Sequence, residues 1–136
     1  MSFVHLHVHT QYSIADATTR IDDLVVHAAE CGMSAIALTD HDNLHGAVHF
    51  NDACKRKGIK PIYGCSMAIA ARPMGEHALR TYQINLLAEN AVGYQNLLLL
   101  ISKAWLDSPA GMQARISHDF LAEHAEGLIA LTGNLG

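Results

Sequence analysis

Apolar residues fall along this chain in short runs separated by polar, turn-forming stretches. Alternating or continuous apolar runs at Phe3 to Val8, Ala35 to Leu38, Ile59 to Tyr63, Met67 to Ala70, Tyr82 to Leu87 and Leu128 to Leu131 read as strands. Between them the spacing changes to that of helices. Ile21, Leu24, Val25 and Ala28 follow i, i+3, i+4, i+7, with Thr19 as candidate N-cap, Asp22 and Asp23 in the first turn and Gly32 as the stop. A second helix is expected from about Asn43 to Lys57, capped by Asp42 and stopped by Gly58. A third carries Tyr94, Leu97, Leu98, Ile101 and Trp105 as a core-facing stripe. Strand, helix, strand, helix, strand is the βαβ pattern, so the chain reads as α/β with a mostly parallel sheet. Two stretches, Arg72 to Arg80 and Asp107 to Ser117, hold Pro and Gly and read as loops.

At 136 residues, half of them hydrophobic, the chain has enough material for one core, and residues 1–136 are expected to form a single domain. A net charge of −4 with only nine Lys plus Arg excludes a free-standing nucleic-acid binder, which needs a basic surface. Cys31, Cys54 and Cys65 show no zinc-ribbon spacing and read as reduced thiols. No apolar run approaches the ~20 residues of a membrane span, and no leader pattern opens the chain, so a cytoplasmic protein is expected.

Ten histidines change this picture. His5, His7 and His9 alternate in HLHVHT, and along an extended strand alternate side chains share a face. Imidazole nitrogens so placed suit zinc, manganese or iron, and Asp16 or Asp40 would add a carboxylate oxygen. The plain alternative is a strand with a polar outer face. His41, between Asp40 and Asp42, stands where a strand ends and a helix begins, the position at which parallel sheets place functional groups. Asp42 is equally well a helix cap. His45 and His49 continue i+4 spacing from His41 but read as helix-surface residues, and His27, His77, His118 and His124 have no partner spacing.

The motifs HLHVHT, TDHDNLHGAVHF, GIKPIYGC, LLAENAVGYQNLLLLISKAWL and EGLIALTGNLG, in that order, resemble the PHP (polymerase and histidinol phosphatase) domain. More narrowly they resemble the N-terminal PHP domain of bacterial DNA polymerase III alpha subunits. The resemblance implies the N-terminal portion of a distorted (β/α)7 barrel whose mouth can hold up to three metal ions. It maps ligands onto His7, His9, Asp16 and His41, with His5 and Asp40 orienting them from behind. Three further ligand positions depart from the family: Ser66 replaces a bridging Glu, Gln83 a His and Asn134 a Cys. Hydroxyl and amide are weak ligands beside carboxylate, imidazole and thiolate, so the central metal should be lost, and any Zn, Mn or Mg should bind weakly or not at all. The expected role is structural within a replicative DNA-directed DNA polymerase, a nucleotidyltransferase whose chemistry lies outside these residues. The expected partners are the rest of that alpha subunit and its proofreading exonuclease subunit, with DNA reached only through the parent. A barrel ending after one strand is also expected to self-associate. The alternative is a metal-dependent phosphoesterase or 3′-5′ exonuclease.

Overall fold

The computed structural model describes residues 3–70 and 81–132. By backbone contacts the chain divides into two compact units, Met1–Cys65 and Ser66–Gly136.

The first unit begins with an extended segment, then helix α1 (Ile21–Glu30), strand β1 (Ala35–Leu38), helix α2 (Ala47–Lys57) and the first half of strand β2 (Lys60–Ala70). The helix boundaries follow from local chemistry. α1 has Asp22 and Asp23 in its first turn, where the helix dipole favours carboxylates, and the chain turns away at Gly32 with φ of +70°. Thr19 is not its cap: Arg20 holds that position and no side chain caps the helix. Gly58 ends α2 in the left-handed conformation that costs glycine nothing. Expected from Asn43, α2 starts only at Ala47, because Asp42 takes a positive φ of 54° and residues 43–46 turn before the helix begins. β1 is buried at all four positions and pairs in parallel with β2, Ala35 against Lys60 through Leu38 against Tyr63. Burial on both faces is why its sequence is uniformly apolar rather than alternating. Ile21, Val25 and Ala28 of α1 meet Phe50, Ala53 and Cys54 of α2 over Ile36 and Leu38. Gly46 permits this approach, since a Cβ there would lie 2.8 Å from Ile21 Cδ1 and 2.9 Å from Tyr12 Cδ2.

The predicted strand at Phe3 to Val8 is not regular. The segment runs beside β1, with Ala37 N donating to His5 O and Thr39 N to Val8 O, both at 2.9 Å. Three residues on one side thus span two on the other, and the extra residue interrupts both ladder and alternation.

In the second unit, the remainder of β2 pairs in parallel with β4 (Arg115–Ser117) and neighbours β3 (Thr81–Ala88), which pairs antiparallel with β5 (Leu128–Thr132). Helix α3 (Ala91–Asp107) is capped by Asn90, whose side chain accepts from Gly93 N, and the short α4 (His118–Glu123) is capped by Ser117. Two expected strands, at Ile59 to Tyr63 and Met67 to Ala70, are one strand, β2. β4 and α4 arise where a loop and surface were expected. The face of α3 is also corrected: Gly93, Leu97, Leu100 and Ala104 are buried, while Leu98 and Trp105, read as core, are 45% and 58% exposed. The small residues Gly93 and Ala104 set that face, which a count of large apolar residues misses. The Arg72 to Arg80 loop and His77 lie outside the described residues. Among the described residues no helix is long and apolar enough to cross a membrane.

Candidate metal centre

Four of the proposed ligands belong to the first unit, and two loops bring them together. The residues after β1, Thr39 to His41, meet the residues after the extended segment, Thr10 to Asp16. The link is Asp40, 1% exposed. Its carboxylate accepts from Thr10 N at 2.6 Å, Thr10 Oγ1 at 2.7 Å and Ser13 Oγ at 2.7 Å. A buried carboxylate is tolerated when charge-assisted hydrogen bonds replace its water, and here three do. Ser13 Oγ in turn accepts from His41 N at 3.1 Å, so the same network fixes the backbone of the histidine. Thr39 Oγ1 adds a reciprocal clasp, accepting from Val8 N at 2.7 Å and donating to Val8 O at 3.0 Å. Asn43 closes the turn, its amide donating to Tyr12 O and His41 O while its carbonyl accepts from His45 N.

On this frame His7 and His9 converge, with Nε2 to Nε2 at 2.9 Å, so one ring nitrogen donates to the other. The His41 ring stacks on His9 at 4.1 Å between centroids and 12° between planes, and its Nε2 lies 3.4 Å from Asp16 Oδ2. Asp16 is largely exposed. Burial, with the positive charge of His41 next, lowers the pKa of His7, and the same two causes followed by His7 lower that of His9, against a smaller upward pull from Asp40. The pair is thereby biased toward the neutral imidazoles that a metal requires.

His5 does not join them. The extra residue between His5 and Val8 breaks the alternation, and the His5 ring packs edge-on against Phe3 at 4.7 Å. Asp40, expected behind an imidazole, hydrogen-bonds no imidazole among the described residues; it acts on His9 through its charge and is linked to the His41 backbone N–H through Ser13. Thr10 and Ser13 were not singled out by sequence. Their signal was the run of hydroxyl residues following the histidines, one of them on each turn that faces the TDH segment.

Of the departing positions, Ser66 and Gln83 belong to the second unit. Ser66 is buried and its hydroxyl donates to Asn85 Oδ1. Gln83 and Asn85, two apart on β3, share one face of that strand, and Gln83 Oε1 is buried with no hydrogen-bond partner among the described residues. Asn85 escaped sequence reasoning although polar residues at alternate positions of an apolar strand mark a polar buried face. Asn134 lies outside the described residues.

This donor set does not fit a polynuclear cation centre. Among the described residues no group of three or more His, Cys, Asp or Glu side chains is placed to hold one ion. His7 and His9 face each other, His41 faces Asp16, and catalytic zinc ordinarily takes three protein ligands.

A family model described as the PHP domain matches residues 5–136. The chain is 44% identical over 99% of its length to a DNA polymerase III subunit alpha from Treponema pallidum, and 41% identical over 100% to one from Thermus aquaticus. It spans 12% of the length of each of these relatives. Among solved structures, a candidate metal-dependent phosphoesterase from Bifidobacterium adolescentis superposes with a TM-score of 0.52 at 17% identity, over 90% of this chain and 43% of that one, a likeness of fold alone. With a family match across nearly every residue and an α/β architecture in agreement, the chain belongs to the PHP domain family.

Proposed function

We propose that this chain is the PHP module of a replicative DNA polymerase alpha subunit, acting as a structural support within that subunit and as a docking face for a proofreading exonuclease subunit. The reading rests on the donor chemistry. Ser66 and Asn85 satisfy each other by a neutral hydrogen bond where the family resemblance places a bridging carboxylate. A pair of metals that polarises a phosphate and generates hydroxide needs that carboxylate. The identity of 41–44% to alpha subunits across the chain supports the parent assignment, with DNA met only through the parent polymerase, in the cytoplasm. The side of β5 left unpaired among the described residues supports self-association of the isolated chain.

The test combines metal analysis with hydrolysis of a nucleotide ester. The expected result is substoichiometric zinc, manganese and magnesium, and no turnover above that of His9→Ala. One or more tightly bound ions, with turnover abolished in His9→Ala, overturns the proposal. A second reading, a phosphoesterase, is favoured by one observation, the convergence of the His7, His9 and His41 rings; the same assay decides between them.

A further inference from the structure

In the second unit, the last turn of α3, the residues that follow it, β4 and α4 line a half-open cavity of about 220 Å³. Its lining joins apolar and charged chemistry. Ile116 and Phe120 supply apolar walls, and Lys103, Asp107, Ser108 and Arg115 supply polar ones. The charges are unequally satisfied. Lys103 Nζ pairs with Asp107 Oδ2 at 2.8 Å and lies 5.7 Å from the centre of the Phe120 ring, within cation–π range. Arg115 uses its backbone N–H on Ser108 Oγ at 3.1 Å. Its guanidinium makes no hydrogen bond or ion pair among the described residues.

We propose that this cavity binds a monocarboxylate carried on a small aliphatic body, and that its source is the carboxyl terminus of a peptide ending in a branched apolar residue. Three observations select that class. The planar guanidinium carries a fork of donors matched to an oxyanion and has no other partner among the described residues. The summed charge of Lys103, Arg115 and Asp107 is one positive, which a carboxylate neutralises; a phosphate dianion would leave excess negative charge beside Asp107. The volume falls below the ~300 Å³ at which drug-sized ligand sites begin, so it accommodates one residue's side chain and terminus. Ser108, also in the lining and held by the Arg115 backbone N–H, adds a neutral hydroxyl for the second oxygen.

The experiment uses the full chain, amide-resolved NMR and four probes: N-acetyl-Gly-Leu, its C-terminal amide, isovalerate and inorganic phosphate. Saturable shifts of the Ser108, Ile116 and Phe120 amides are expected with the free-acid peptide, at least tenfold weaker with the peptide amide. Arg115→Gln should weaken the acid at least tenfold and Arg115→Lys less, with distant amides unmoved. The acid-against-amide comparison is made on the unmodified chain, so it stands if a variant fails to fold. Isovalerate as tight as the peptide would uphold the carboxylate site and overturn the peptide source. No saturation, equal binding of acid and amide, or tighter binding of phosphate would overturn the site.

Discussion

Replacing Asp40 by alanine tests whether the frame of the candidate centre is also a foundation of the first unit. The carboxylate is buried and accepts three hydrogen bonds, two from hydroxyls and one from a backbone N–H. Hydrogen bonds to a charged group contribute about 1.5–3 kcal/mol each, so the low end for three is about 4.5 kcal/mol. Removing the buried charge also removes its desolvation cost, which offsets part of that loss. The expected net destabilisation of Asp40→Ala is about 3 kcal/mol. Asp40→Asn preserves the shape. Its carbonyl can still accept from Thr10 N and Ser13, and its amide can donate to Thr10 Oγ1, so about 1 kcal/mol is expected there. With a urea m-value of about 2 kcal/mol/M, the midpoint should fall by about 1.5 M for alanine and about 0.5 M for asparagine. Circular dichroism during urea unfolding measures both. An alanine midpoint within about 0.3 M of the unmodified chain would refute the network as a source of stability, and equal shifts for both variants would refute the assignment to hydrogen bonds.

Three further outcomes follow from the geometry. The folded pKa values of His7 and His9 lie below the ordinary histidine value, so the unfolded chain binds more protons near pH 6. Stability should be full above about pH 6.5 and decline as pH falls through it, and unfolding midpoints at pH 7.5 and 5.5 should diverge more for the unmodified chain than for a His7→Ala, His9→Ala double variant. Gly93→Ala would place a Cβ 1.8 Å from Gly127 O, backbone against backbone, so a loss of about 3 kcal/mol is expected; a thermal midpoint within 2 °C (about 0.5 kcal/mol or less) would contradict that contact. Of the three thiols, exposed Cys31 should react with a disulfide reagent at pH 8 within minutes. Cys54, its pKa pushed up to about 11 by burial, and Cys65, higher still for the same reason, should react only in denaturant.

Elements whose burial is uniform or one-sided were legible in the sequence. β1 and the ends of α1 and α2 at Gly32 and Gly58 were fixed by local chemistry, through the continuous apolar run and through glycine's freedom at positive φ. Elements that depend on tertiary context were not. Asp42 has the composition of a cap, but its positive φ spends it in a turn, and α2 begins four residues after Asn43. The core face of α3 joins Leu97 and Leu100 to Gly93 and Ala104, and the value of the two small residues is close approach rather than hydrophobicity. β4 is three residues long and exists through its pairing with β2, which a window of neighbouring residues cannot sense. At the candidate centre, spacing alone brought His7 beside His9 in expectation, and the structure agrees. It misplaced His5, because one extra residue opposite β1 reverses which side a side chain takes.

That the imidazoles remain gathered does not require a metal to gather them. Asp40, Thr10, Ser13 and Thr39 tie the two loops through hydrogen bonds to one another and to the backbone, and His41 donates its backbone N–H to Ser13 Oγ within the same network. A site built this way is positioned by folding free energy, whereas a structural metal site draws its folding free energy from the ion and unfolds when chelated. Exhaustive dialysis against a chelator should therefore leave the urea midpoint within about 0.2 M, a shift of about 0.4 kcal/mol at most. The expected stabilisation from a saturating ion at a hundred times its dissociation constant is about 2.7 kcal/mol, more than six times larger, so the two cases separate cleanly. A drop above about 1 M on chelation, restored by adding back zinc or manganese, would show that the ion and not the Asp40 network holds His7, His9 and His41 in place.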